Sequence, residues 1–175
     1  MRIGDVLYFS PNHEFRDLNF DDPETIVVAF ADRVNGFYFQ AAEQLIEMRH
    51  AFGAGLITCA AIDFVADTCS EEKVKVFLGG FLGLDTEVAA KVWVLFRHGL
   101  AHEGRVKPFG QFSSETDAIV RENGDAVVVN PDLLLRKSQR VIRRDLRGAS
   151  VNGKKLMTYR LQHRFEREVR FAKGL

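Results

Sequence analysis

Cysteine is nearly absent from this sequence: Cys59 and Cys69 are the only two among 175 residues. They lie ten positions apart in apolar sequence that reads as helix, a separation that matches no zinc-ligand pattern. Two reduced, buried thiols are expected rather than a disulfide or a metal site. Long apolar runs are missing too, and none reaches the roughly 20 residues of a membrane helix. The opening residues, Met1 to Val6, place Asp5 where a secretion signal needs its apolar segment. These absences point to a cytoplasmic protein without membrane contact. There is also no internal repeat and no low-complexity linker, so one domain over residues 1–175 is expected.

What is present suits a packed core. Hydrophobic residues make up 46% of the chain, and fifteen are Phe, which argues for a core of large side chains. The formal net charge is zero, but its distribution is uneven. From Leu133 to Leu175 there are thirteen Lys or Arg against three Asp or Glu, and before that eleven against twenty-one. Either the two parts neutralise each other within one fold or across a dimer, or the C-terminal part is a basic surface for nucleic acid.

Taken in order, residues 3–9 read as a short strand. Asp22-Pro23-Glu24 starts a helix with a capping carboxylate and a proline at the first position. Ile26, Phe30 and Val34 follow at helical spacing. Gly36 is expected to interrupt, and a second helix runs from about Phe37 to His50 with Phe37, Ala41, Leu45 and Met48 on its apolar side. Residues 52–69 are apolar nearly throughout, with Asp63 and Asp67 the only charges, which describes a helix buried on most sides. Those two carboxylates favour capping or solvent over a metal pair. Ser70, Glu71 and Glu72 start a helix carrying Val74, Phe77, Leu78 and Phe81, and Asp85 caps the next, with Val88, Val92, Leu95 and Phe96 apolar. Residues 105–117 read as loop. Asn123-Gly124 between two apolar stretches predicts a β-hairpin over about 118–129. Asn130-Pro131-Asp132 opens a helix to about 147, and Asn152-Gly153 makes a turn before a last helix over about 154–172. The fold class expected is mainly α: an antiparallel helical bundle with core about 23–104, the inserted hairpin, and two basic amphipathic C-terminal helices. Their outer faces carry Arg136, Arg140, Arg143 and Arg147, then Arg160, Arg164 and Arg167, the candidate nucleic-acid contacts. Arginine stripes are also how an ordinary solvated face looks.

The chemistry concentrates between Val92 and Gly104, where Arg97, His98, His102 and Glu103 occupy seven positions after a run of large apolar residues. A guanidinium holds phosphate oxygens with a planar fork, and an imidazole moves protons near neutral pH. On an ideal helix Arg97 and His102 stand roughly 140° apart, so they do not share a face. His98 and His102 do. Gly99 between them weakens the helix by about 1 kcal/mol relative to Ala, so the helix kinks or ends there.

Arg97, His98, three further residues and His102, late in a helical bundle, resemble the motif of the HEPN superfamily. The wording R-H-G-L-A-H-E also looks like the R-x-G-L-x-H form of less characterised HEPN-like families, some of which carry a hairpin and a further helix after it. The likeness is best from about Phe37 to Gly104 and only architectural beyond. It implies a compact helical domain, often a ribonuclease of defence, toxin–antitoxin or RNA-processing systems. It further implies metal-independent cleavage without a cofactor, in which His102 supplies or removes a proton and Arg97 stabilises the phosphoryl oxygens. His98 would be a supporting residue. Glu103, the other supporting candidate, is read from its position alone: it pairs with Arg97 or His102 or is simply solvated, and a carboxylate beside the arginine competes with phosphate. HEPN ribonucleases pair so that two motifs face one cleft, so RNA, a second copy and an antitoxin-like protein are the partners implied.

Two other readings compete. His98 and His102 have the spacing of two metal ligands on one helix, but the position that a zinc hydrolase gives to glutamate holds Gly99, and no third ligand stands out. A non-catalytic HEPN-like dimer that binds nucleotide, RNA or a protein is the other, with Arg97 and His102 as polar staples at a subunit interface.

Overall fold

A computed structural model of the chain describes residues 1–69, 74–96, 99 and 106–174. Those residues are mainly α-helical with two small three-stranded sheets. The helix start expected at Ser70 lies outside them. The chain packs as two compact units, one made of Met1–Phe37 with Arg143–Leu175 and the other of Tyr38–Ile142.

In the first unit, strands β1 (Arg2–Ile3), β2 (Val6–Ser10) and β3 (His13–Glu14) form an antiparallel sheet around β2. Helix α1 (Pro23–Val34) starts as its sequence dictates: the Asp22 carboxylate accepts from the Glu24 amide at 3.1 Å, with Pro23 in the first turn. Ile26, Phe30 and Val34 are buried, as their spacing requires. Phe9, Phe15, Phe20 and Phe165 pack edge to face, with centroids 5.4–6.1 Å apart. The Arg33 guanidinium lies over the Phe9, Phe37 and Phe165 rings and donates to the Phe9 carbonyl. Such a desolvated cation over several rings contributes on the order of 2 kcal/mol. Helix α7 (Val151–Arg164) packs on α1, and Lys154 Nζ bonds both oxygens of Glu24 at 2.8 Å.

In the second unit, α2 (Gln40–Glu47), α3 (Ala51–Cys69), α4 (Val74–Leu82) and α5 (Thr86–Val92) pack each against the next. Helix α3 buries Ala54, Gly55, Ala61, Ile62, Phe64, Val65 and Ala66. Its inward threonines satisfy themselves on the preceding turn, Thr58 donating to Ala54 O at 2.8 Å and Thr68 to Phe64 O at 2.7 Å. Against the expectation from the sequence, α3 is long and apolar enough to span a membrane by length and composition, but more than half of it is buried inside the protein, as in a core helix. Its two aspartates break the apolar run without lowering the average enough. Strands β4 (Gly110–Phe112), β5 (Val120–Asn123) and β6 (Ala126–Val129) form the second sheet, in the order β4-β6-β5. Helix α6 (Pro131–Gly148) follows, belonging to this unit as far as Ile142. Asn130 fastens its start: Oδ1 accepts from the Asp132 and Leu133 amides, and Nδ2 donates to Thr116 O at 2.7 Å.

Several expectations are corrected. Gly36 does not interrupt; residues Asn35–Phe39 wind as π-helix between α1 and α2. Phe39 and Ala42 are the buried positions of this stretch, while Met48, which ends α2 as its C-cap, is 64% exposed. A side chain at position 36 would strike the Pro11 ring, which glycine avoids. Residues 105–117 are not all loop, since β4 pairs in parallel with β6. The hairpin turns one residue later than expected, at Gly124-Asp125, with Asn123 paired to Ala126. Gly124 takes the positive φ of +59° that this first loop position requires. Asn152-Gly153 is not a turn but the first turn of α7, capped by Ser150 Oγ on the Gly153 amide. The last helix divides at Phe165 into α7 and α8 (Glu166–Ala172). Of the two cysteines, Cys59 is buried and Cys69 is exposed.

Candidate functional site

Helix α5 carries the chain into the Arg97–His102 segment. Asp85 caps it by accepting from the Glu87 amide at 2.8 Å, and Lys91 Nζ reaches Glu122 on β5 at 2.7 Å. That hydrogen bond, with the charge of Glu122 behind it, raises the Lys91 pKa. Residues 93–96 continue as π-helix, burying Trp93 and Phe96. Phe96, the residue before Arg97, meets the Phe112 ring at 4.9 Å between centroids. Phe112 in turn rests on α3 at Gly55, where a Cβ would collide with its ring.

The chain returns to the place it left. The Lys107 amide donates to the Leu95 carbonyl at 2.9 Å, and the Gly110 amide to the Lys107 carbonyl at 3.0 Å. A Cβ on Gly110 would strike the Val106 side chain and crowd Leu95, so a larger residue there would have to displace Val106. Phe109 turns at φ +73° to let its carbonyl accept from Val127 N at 2.7 Å. The two ends of the motif segment, Leu95 and Lys107, are therefore joined by a backbone hydrogen bond and backed by Phe112.

Arg97, His98, His102 and Glu103 themselves lie outside the described residues. Gly99 is buried with π-helical backbone. Among the described residues no three His, Cys, Asp or Glu side chains group closely enough to hold a metal ion. On α3, Asp63 is half-buried and Asp67 exposed.

The arginines expected to meet nucleic acid are largely at the surface. Arg136, Arg140, Arg143 and Arg147 are all exposed on α6, as are Arg164 and Arg167, while Arg160 is half-buried. Their freedom differs. Arg136 Nε bonds both oxygens of Asp132 at 3.0 Å, and that bond raises its pKa. Arg143 reaches Asn35 Oδ1 at 3.4 Å. The break at Phe165 puts Arg167 on α8, so Arg160, Arg164 and Arg167 do not form one helical stripe. A cleft of about 360 Å³ in the second unit is lined by Arg49, Asp132, Ile46, Ala51, Ser114 and Asn130. It sets one guanidinium beside one carboxylate, which is not a polyanion groove.

Sequence reading missed Gly110 and Phe112, which hold the motif segment from outside. Their signal was faint: a Gly-x-Phe triplet in a stretch that resembles loop. The class established is thus a mainly α-helical protein, with two small sheets among the described residues. No protein-family model, curated protein or solved structure matches this chain.

Proposed function

We propose that this protein is a HEPN-like, metal-independent endoribonuclease acting in the cytoplasm as a homodimer, with an antiparallel helical bundle as its core. The single observation that supports this most is the closure between Leu95 and Lys107, with Phe96 and Phe112 packed behind it. A segment that carries Arg97, His98 and His102 and has its ends tied together on a packed base is suited to hold reacting groups in place.

In the proposed reaction the ribose 2′-oxygen attacks the adjacent phosphorus and gives up its proton, while the bond to the 5′-oxygen breaks and that oxygen takes a proton. The products are a 2′,3′-cyclic phosphate and a 5′-hydroxyl. His102 moves one proton, and His102 of a second copy the other. Arg97 carries the charge that develops on the non-bridging oxygens. His98 orients Arg97 or contacts substrate, and Glu103 pairs with Arg97 or His102 or is solvated. Purified protein with EDTA should cut labelled single-stranded RNA and leave the cyclic phosphate. His102→Ala should slow cutting by roughly 10²–10⁴-fold with an unchanged circular dichroism spectrum. A wild type that cuts no RNA pool, or a variant that cuts equally well, defeats the reading.

A second reading, an RNA-binding dimer without cleavage, is favoured by the exposed cations of α6 and α7. It predicts salt-sensitive RNA binding and no cyclic phosphate. An antitoxin-like protein partner is compatible with either reading.

A further inference from the structure

Helix α7 has two unlike sides. Met157, Thr158 and Leu161 are buried, while Asn152, Lys155, Tyr159, Gln162 and His163 are exposed. At about 100° per residue these five lie within roughly 60° of Tyr159, so they form one outward face. No acidic residue occurs anywhere in α7, which carries four Lys or Arg along fourteen residues. The tyrosine is 58% exposed, and the His163 ring packs against it with centroids 4.1 Å apart.

The histidine is fixed by a hydrogen bond with one sense. Its Nδ1 lies 3.0 Å from the Tyr159 carbonyl oxygen. A carbonyl only accepts, so Nδ1 carries the hydrogen, and Nε2 is left as the second nitrogen for an outside partner. Two packed rings thus stand open to solvent, with Lys155 one turn before Tyr159 on the same face. Flat rings beside cations and amides, on a helix that itself bears no carboxylate, suit bases that are unstacked and carried on a phosphate chain. A double helix keeps its bases stacked inside and has no free face to offer them.

We propose that this face of α7 is a base-stacking platform for single-stranded RNA. A base stacks on Tyr159, Lys155 meets the backbone phosphate, and His163 Nε2 with the Gln162 amide contacts base edges. The proposal rests on the reading that the protein acts on RNA, and it places the contact for unpaired bases on the outer face of α7.

The test uses the full chain and a fluorescein-labelled 2′-O-methyl oligouridine of about 15 nucleotides, near the upper site size of single-strand binders. The methylated oxygen cannot attack phosphorus, so binding is read without cleavage. In fluorescence anisotropy, Tyr159→Ala should weaken binding roughly tenfold, the loss typical of one stacked base. Tyr159→Phe should stay within about twofold, since the π-face survives. The same strand annealed to its complement should bind more weakly than the single strand and be indifferent to Tyr159→Ala. Equal binding of single strand and duplex, or no effect of Tyr159→Ala, overturns the platform. So does an equal loss in Tyr159→Phe, and so does the absence of any binding. Cleavage of unmodified RNA, assayed in parallel, judges the ribonuclease reading separately. Cutting with Tyr159-independent binding sinks the platform alone, and Tyr159-dependent binding without cutting sinks the ribonuclease alone.

Discussion

Adding one methyl group at Gly55 should change stability with a sign that depends on Phe112. Gly55 is an interior residue of α3, where alanine normally stabilises by about 1 kcal/mol through helix propensity. Here the new Cβ would lie under 3.0 Å from three atoms of the Phe112 ring. Overpacking of this kind costs about 1–3 kcal/mol, so Gly55→Ala should be neutral to destabilising by about 2 kcal/mol. At this chain length that is a fall in Tm of up to roughly 8 °C. Once Phe112→Ala removes the ring, the collision disappears and Gly55→Ala should stabilise by about 1 kcal/mol. The coupling between the two sites is then about 1–3 kcal/mol, read from a double-mutant cycle in urea with circular dichroism and Trp93 fluorescence. Because Phe112 also packs on Phe96, Gly55→Ala should lower RNA cleavage more than it lowers stability. If Gly55→Ala shifts stability equally in both backgrounds, the ring does not rest on the helix as described and the packing argument is wrong.

Two further outcomes are expected. The Asp32 carboxylate sits where Asn12, Ser10 and His13 converge, accepting from the Asn12 amide at 3.0 Å and its side chain at 2.9 Å. Burial pushes its pKa up, but hydrogen bonds from Ser10, Asn12 and His13 together outweigh this and hold it below the ordinary 3.8. A depressed carboxylate stabilises the fold above its unfolded pKa, and this is lost as pH falls through the folded one. Wild type should therefore lose stability in acid more steeply than Asp32→Asn, and parallel acid titrations of the two would refute the assignment. For RNA binding, Arg140→Ala with Arg147→Ala should flatten the dependence of log affinity on log salt by about 1.4 on single strands. Arg136→Ala should matter less because Asp132 already holds that guanidinium, so a loss at Arg136 as large as at Arg140 would count against the ranking.

Three helix starts were legible in the sequence because each is a transaction among neighbours, whereas the start of α7 at Ser150 read as a turn. Asp22 before Pro23, Asp85 before Thr86 and Asn130 before Pro131 all cap the amides just ahead of them, and no distant residue is required. The apolar spacing of Ile26, Phe30 and Val34 was decided the same way, and all three are buried. The candidate chemistry was read from residue types alone, a guanidinium and an imidazole being suited to hold phosphate and move protons, and Arg97 and His102 themselves lie outside the described residues. Tertiary structure decided what depends on partners far along the chain. β4 exists because Gly110 to Phe112 find Val127 to Val129. The last helix breaks where the Phe165 ring joins Phe9, Phe15 and Arg33, and the π-turn at Gly36 lies against Pro11. Contacts of that kind become favourable only after the intervening loop has been closed, so no local window of sequence carries their free energy.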